Sequence, residues 1–128
     1  MQEKIDGRRL EGKTALVTGA SRGIGAAIAR RLATEGATVA CMARTLDPDP
    51  RYEGTLRDTV DLITAAGGKA SPFKADLSSS DDRKNLIDEV HNELGPIDIL
   101  INNAAVTFFL PIDSFPEKRF KLMMETQV

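Results

Sequence analysis

One short run constrains this chain more than any other: Val17-Thr18-Gly19-Ala20-Ser21-Arg22-Gly23-Ile24-Gly25. It follows an apolar stretch, Thr14-Ala15-Leu16-Val17, and opens a segment with helical apolar spacing. Gly-x-x-x-Gly-x-Gly at a strand-to-helix turn makes a cradle for a dinucleotide's phosphates. The first glycine allows the tight turn, and the later ones let backbone and helix approach a pyrophosphate. The helix that begins there offers N–H groups and the positive end of its dipole to the same anion.

The rest of the chain alternates in the same way. Apolar runs predict strands at about 13–18, 38–43, 70–75 and 97–102. Helical spacing predicts helices at about 23–35, 55–66 and 80–94, with another from about 116. Ile24, Ile28 and Leu32 mark the expected inward face of the first helix. Leu56, Val60 and Ile63 mark that of the second, and Leu86, Val90 and Leu94 that of the third. Ser79, Asp81 and Asp82 suit the N-terminus of the third. Repeated β-α-β units demand a parallel sheet with right-handed crossovers. Pro72 cannot donate to a ladder, so the third strand belongs at an edge. The fourth, Ile97-Asp98-Ile99-Leu100-Ile101-Asn102, is largely apolar, as a central parallel strand should be. The fold class that follows is α/β, a Rossmann-type doubly wound parallel sheet of order 3-2-1-4, with further strands expected beyond the fourth. Asp47-Pro48-Asp49-Pro50 makes Thr45–Gly54 an extended loop. It either folds over the adenosine end of a nucleotide or is a plain surface insertion.

Composition removes several function classes. At 128 residues there is room for one domain at most, and a formal net charge of -2 argues against a nucleic-acid or acidic-membrane partner. The polar N-terminus lacks the apolar run of a leader or a membrane span. Arg8-Arg9 leads into Leu10-Glu11-Gly12, which does not suit twin-arginine export. The single cysteine excludes an internal disulfide and suits a reducing cytoplasm, and Cys41, inside Val39-Ala40-Cys41-Met42, reads as a small buried hydrophobe. The only histidine, His91, lies off the apolar face of its helix and reads as a surface residue. No cluster has metal-ligand spacing, and the glycine loop lacks the Gly-Lys-Ser/Thr ending of a P-loop.

Three elements coincide in order. Thr18-Gly19-Ala20-Ser21-Arg22-Gly23-Ile24-Gly25 closes the first strand, Asp76-Leu77 follows the third, and Asn102-Asn103-Ala104-Ala105 closes the fourth. Together they closely resemble the short-chain dehydrogenase/reductase family, in its N-terminal, cofactor-binding half. The resemblance runs from about Leu10 to Val128. It implies one incomplete NAD(P)-binding Rossmann domain over 1–128, with 1–12 as an N-terminal extension. It implies that Gly19, Ser21, Arg22, Gly23, Ile24 and Gly25 meet the phosphates and nearby ribose. Asp76 would bond the adenine amino group, or else serve as a turn residue ahead of Ser78-Ser79-Ser80, and Leu77 would offer a backbone contact beside it. Asn103, Ala104 and Ala105 would lie under the nicotinamide-side ribose, although the family reads Asn-Ala-Gly there.

The choice of cofactor turns on the end of the second strand. An NAD-specific fold places an acid there, roughly 20 residues past the glycines. Here Ala43 stands in that place, followed by Arg44 and Thr45. An arginine can bind a 2′-phosphate through paired N–H groups, so NADP(H) is preferred. Asp47, brought in by the loop, would instead keep NAD(H) possible.

The family's catalytic Ser and Tyr-x-x-x-Lys fall beyond the fourth strand, and Tyr52 has no lysine four residues on. Gln127 stands at the family's asparagine position, on a stripe with Phe120, Met123 and Met124. It is either at the site, a buried structural amide, or part of a frayed helix end. The resemblance thus implies hydride transfer between nicotinamide and a small carbonyl or alcohol in a homo-oligomer once the domain is complete, with 128 residues alone inactive. The alternatives are a silent nucleotide-binding protein or truncated relic, and an isomerase, epimerase or dehydratase on the same fold.

Overall fold

The computed structural model describes residues 9–46 and 54–104, and residues 118, 121 and 124, which are helical. Four strands and three helices alternate through the first two stretches. They are β1 (Thr14–Thr18), α1 (Gly23–Thr34), β2 (Thr38–Ala43), α2 (Leu56–Ala65), β3 (Lys69–Lys74), α3 (Ser80–Leu94) and β4 (Ile99–Ile101). The strands form one sheet in the order β3-β2-β1-β4. All three pairings are parallel, with Thr14 against Thr38, Ala15 against Ile99, and Thr38 against Lys69. This is the expected doubly wound arrangement, and Pro72 lies on the edge strand β3, as its missing N–H requires.

Alternation along the strands builds two apolar layers. On one side Ala15, Val17, Val39 and Cys41 meet α1 and α2 through Ala29, Ala33, Leu56 and Ile63. On the other Leu16, Ala40, Met42 and Phe73 meet α3 through Leu86 and Val90. Burial on both faces explains why β1 and β2 read as unbroken apolar runs. Cys41 sits wholly inside the first layer, and burial pushes its thiol up to about 12.

Two expectations need correction. The inward face of α1 is Gly25, Ala29 and Ala33. Ile28 and Leu32 pack beside it, while Ile24 is 72% exposed. Small residues four apart let the helix lie close on the sheet, and the larger side chains flank that contact. In α2 the buried set is Leu56, Thr59 and Ile63, with Val60 only partly covered. The second correction concerns β4, which is shorter than expected. At its start the Asp98 carboxylate accepts from Thr14 N–H at 2.9 Å, and Ile97 joins the layer under α3. At its end the backbone leaves the ladder to bond a side chain of β1, as described below.

The termini of α2 and α3 are closed by their own residues. Thr55 and Asp58 form a reciprocal capping box on α2, and Ser79 Oγ accepts from Asp82 N–H on α3. The start of α1 differs: its N-cap, Arg22, makes no side-chain cap bond, and its first turn holds no acid.

Candidate functional site

The C-terminal ends of β1, β2, β3 and β4 bring most of the predicted residues to one edge of the sheet. Gly19 turns the chain out of β1 with φ +66°, a conformation that favours glycine. A Cβ there would come within 3.0 Å of Ala104 Cα and of Asn103 Nδ2. Gly25 is packed more tightly still, since its Cβ would stand 2.1 Å from the Gly19 carbonyl oxygen. Gly25 therefore sets how closely α1 approaches the end of β1. Gly23 is different: at φ +57° its Cβ would meet no atom of the described residues within 4 Å. It lies in the first turn of α1, where the N–H groups of Gly23, Ile24 and Gly25 have no carbonyl of an earlier turn to bond. A helix start with no side-chain cap bond, no acid in its first turn and glycine at its lip fits a phosphate group.

Side chains from three other elements hold this loop. Thr18 Oγ1 accepts from the N–H groups of Asn103 and Ala104, both at 3.0 Å, and donates to the Ile101 carbonyl at 3.2 Å. These bonds bend the chain away from β1 after Ile101 and so end β4. Asn103 Nδ2 donates back to the Gly19 carbonyl at 3.2 Å. The Asn103 side chain thus braces the glycine loop, and its backbone is fixed beside it. Ala20 N–H donates to Met42 at the end of β2, and the Ala20 carbonyl accepts from Thr59 Oγ1 at 2.8 Å. Sequence reading gave Thr18 no role and missed Thr59. The available signals were a polar residue closing an apolar strand and a threonine interrupting an apolar helix face.

Ser21 is half-buried, and its Oγ accepts from Arg22 Nε at 3.3 Å. Arg44 and Thr45 are exposed just past β2. Asp76 lies past β3 on the same rim. Its Oδ1 accepts from Ser78 Oγ at 2.7 Å and from Ser78 N–H at 3.0 Å, while its own N–H donates to Asp82 at 2.8 Å. The Ser78 hydroxyl and then its N–H hold the Asp76 carboxyl below the usual aspartate range, and the Arg44 charge acts in the same direction. Asp76 is thus a turn residue in the fold, and the turn leaves it exposed beside Arg44. Leu77 is half-buried against the α3-side layer, and its carbonyl accepts from Arg83. His91 is exposed on α3. Ala105, Asp47, Tyr52, Phe120, Met123 and Gln127 lie outside the described residues; Met124 is exposed. A cavity of about 560 Å³ opens elsewhere, between the C-terminal ends of α1 and α2, and none of the predicted site residues lines it.

This arrangement has counterparts among known proteins. A family model described as short chain dehydrogenase matches residues 13–128. A short chain dehydrogenase of Pseudocercospora fijiensis is 45% identical over 115 residues, which cover 90% of this chain and 35% of that protein. Human hydroxysteroid dehydrogenase-like protein 2 is 40% identical over 116 residues, 91% of this chain and 28% of that one. Among solved structures, a metagenomic short-chain oxidoreductase in complex with NADP is 39% identical with a TM-score of 0.84, over 92% of this chain and 51% of that one. A blue fluorescent protein from a metagenomic library, in complex with NADPH, is 32% identical with a TM-score of 0.81, over 93% of this chain and 47% of that one. The chain thus spans about a third of these curated relatives and about half of these solved structures. The glycine turn after β1, the Asp76 turn after β3 and the Asn103 brace after β4 all fall within residues 13–128, which the family model matches, on a fold that the solved short-chain oxidoreductase shares: the chain belongs to the short-chain dehydrogenase family.

Proposed function

We propose that this chain is the cofactor-binding part of an NADP(H)-preferring oxidoreductase that interconverts a small carbonyl compound and its alcohol. A bound nicotinamide nucleotide would supply the hydride chemistry. The residues present would hold and orient it. Gly19, Ser21, Arg22, Gly23, Ile24 and Gly25 would hold the pyrophosphate, with the first-turn N–H groups of α1 as donors to it. By the family resemblance Asp76 and Leu77 would take the adenine, and Asn103, Ala104 and Ala105 the nicotinamide-side ribose. Gln127 would take the place of the family's asparagine, and the chemistry would need the serine, tyrosine and lysine that the family carries past its fourth strand. A cytoplasmic homo-oligomer is the assembly this reading carries.

The observation that supports it best is the contrast between Gly23 and its neighbours: a positive-φ glycine that no other described residue crowds, beside a helix start with no side-chain cap bond and no acid in its first turn. Preference for NADP(H) is supported by Arg44, an exposed guanidinium just past β2. A charge-assisted bond to a 2′-phosphate contributes about 1.5–3 kcal/mol, so NADP(H) should bind roughly 10–100-fold more tightly than NAD(H). Calorimetric titration of the full-length protein tests this, with Arg44→Asp reversing the order. Equal affinities, or tighter NAD(H), would overturn the assignment.

A further inference from the structure

The glycine loop is held from one direction that its motif does not account for. Thr59 sits in the second turn of α2 and is 3% exposed. A threonine inside a helix ordinarily bonds the carbonyl one turn back. Here that contact, to Thr55, is 3.5 Å, whereas the bond to Ala20 is 2.8 Å and crosses 39 residues of sequence. The same hydroxyl is 3.4 Å from the Ser21 carbonyl. Gly54, ahead of α2, stands so close that a Cβ would be 3.3 Å from that carbonyl. Ala20 is pinned on its other side by its N–H, which donates to Met42 at 3.0 Å.

The consequence follows from the peptide bond. In a planar trans peptide the C=O and the following N–H point in opposite directions. Drawing the Ala20 carbonyl toward α2 aims the Ser21 N–H away from α2. We propose that Thr59 is a positioning residue for the phosphate cradle: its hydroxyl fixes the Ala20–Ser21 peptide so that the loop's N–H groups are aimed before a ligand arrives. The inference rests on the dinucleotide reading of the loop. A buried carbonyl deprived of its donor has no water to replace it, so the peptide turns to find a partner, and the cradle loses its aim.

The test uses the full-length protein and two ligands: NADPH, and adenosine 2′-monophosphate, which has the adenosine and 2′-phosphate but no pyrophosphate. Thr59→Val exchanges the hydroxyl for a methyl of similar size, and Thr59→Ala removes the hydroxyl together with the γ-methyl, leaving no methyl against the carbonyl. Thr59→Ser keeps the donor. Thr55→Ala weakens α2 through its cap and leaves the Ala20 bond in place. Either donor-less variant should bind NADPH about tenfold more weakly, with affinity for the monophosphate unchanged. Thr59→Ser should restore NADPH binding, and Thr55→Ala should lower Tm without changing it. NADPH affinity equal to wild type in a folded Thr59→Val or Thr59→Ala protein overturns the proposal. So does an equal loss for both ligands, or an equal loss of NADPH affinity in Thr55→Ala. A wild-type protein that binds neither NADPH nor NADH overturns the dinucleotide reading, and this inference with it.

Discussion

Gly23 and Gly25 share a motif but answer to different forces. Gly25 meets protein: an alanine there would drive its Cβ into the Gly19 carbonyl, so Gly25→Ala should disturb folding itself. Gly23 meets no other described residue, and its cost is conformational, since an L-residue in the left-handed region costs about 1–2 kcal/mol. Gly23→Ala should fold, with a lowered Tm, and should lose NADPH binding because the methyl occupies the ligand's side. A β-branched valine adds strain at the same φ and is the poorer probe. Retained affinity in folded Gly23→Ala protein would mean that the loop is only a turn. Asp76 offers a proton-linked test. Its carboxyl titrates below the ordinary range, so the turn's contribution is complete above that range and is lost as pH falls through the lowered pKa. Ser78→Ala removes the largest cause, and the Asp76 titration followed by NMR should move up. No movement would leave the Ser78 bonds without electrostatic effect. Cys41, buried and held to about 12, should react with a thiol reagent at pH 8 only after denaturant unfolds the chain.

At the scale of the element, α1 shows how a helical stripe can mislead. Ile24, Ile28 and Leu32 have the spacing of a core face, yet the contact line is Gly25, Ala29 and Ala33. A helix laid on a sheet beside a second helix approaches most closely through its smallest residues. Larger apolar side chains then fill the flanks, and one of them, Ile24, is left outside at the site edge. Ala29→Leu should therefore destabilise the fold by about 1–3 kcal/mol through overpacking. Ile24→Ser should change stability by no more than about 0.5 kcal/mol. Chemical denaturation of the two variants decides the point, and the opposite ranking would restore the isoleucine face.

For the molecule as a whole, the exposed consequence is β4. It contributes only Ile99–Ile101, pairs with β1 on one side, and carries Leu100 at 52% exposure. Among the described residues no strand covers its other edge. A flat apolar parallel edge is a template for association. On the function proposed above, a polypeptide restricted to these 128 residues should self-associate through this edge and should not reduce ketones with NADPH, whereas a polypeptide carrying a whole family domain should stay dispersed and do so. Light scattering and a carbonyl-reduction screen on mass-verified protein test both halves. A monodisperse monomer that turns over NADPH would overturn them.

What was legible in the residues was whatever depends on near neighbours. Strand and helix identity, the edge place of Pro72, the caps at Ser79 and the glycine turn all follow from periodicity and backbone chemistry within a few positions. Parallel connection and strand order followed in turn, because few topologies satisfy those elements. The brace of the loop did not follow. Thr18 reaches Asn103 and Ala104 across 85 and 86 residues, and Thr59 reaches Ala20 across 39. The short contact line of α1 likewise exists only where helix meets sheet. Such contacts have no local signature: the same threonine caps, faces water or bonds its own helix elsewhere, and packing alone decides which carbonyl comes within reach.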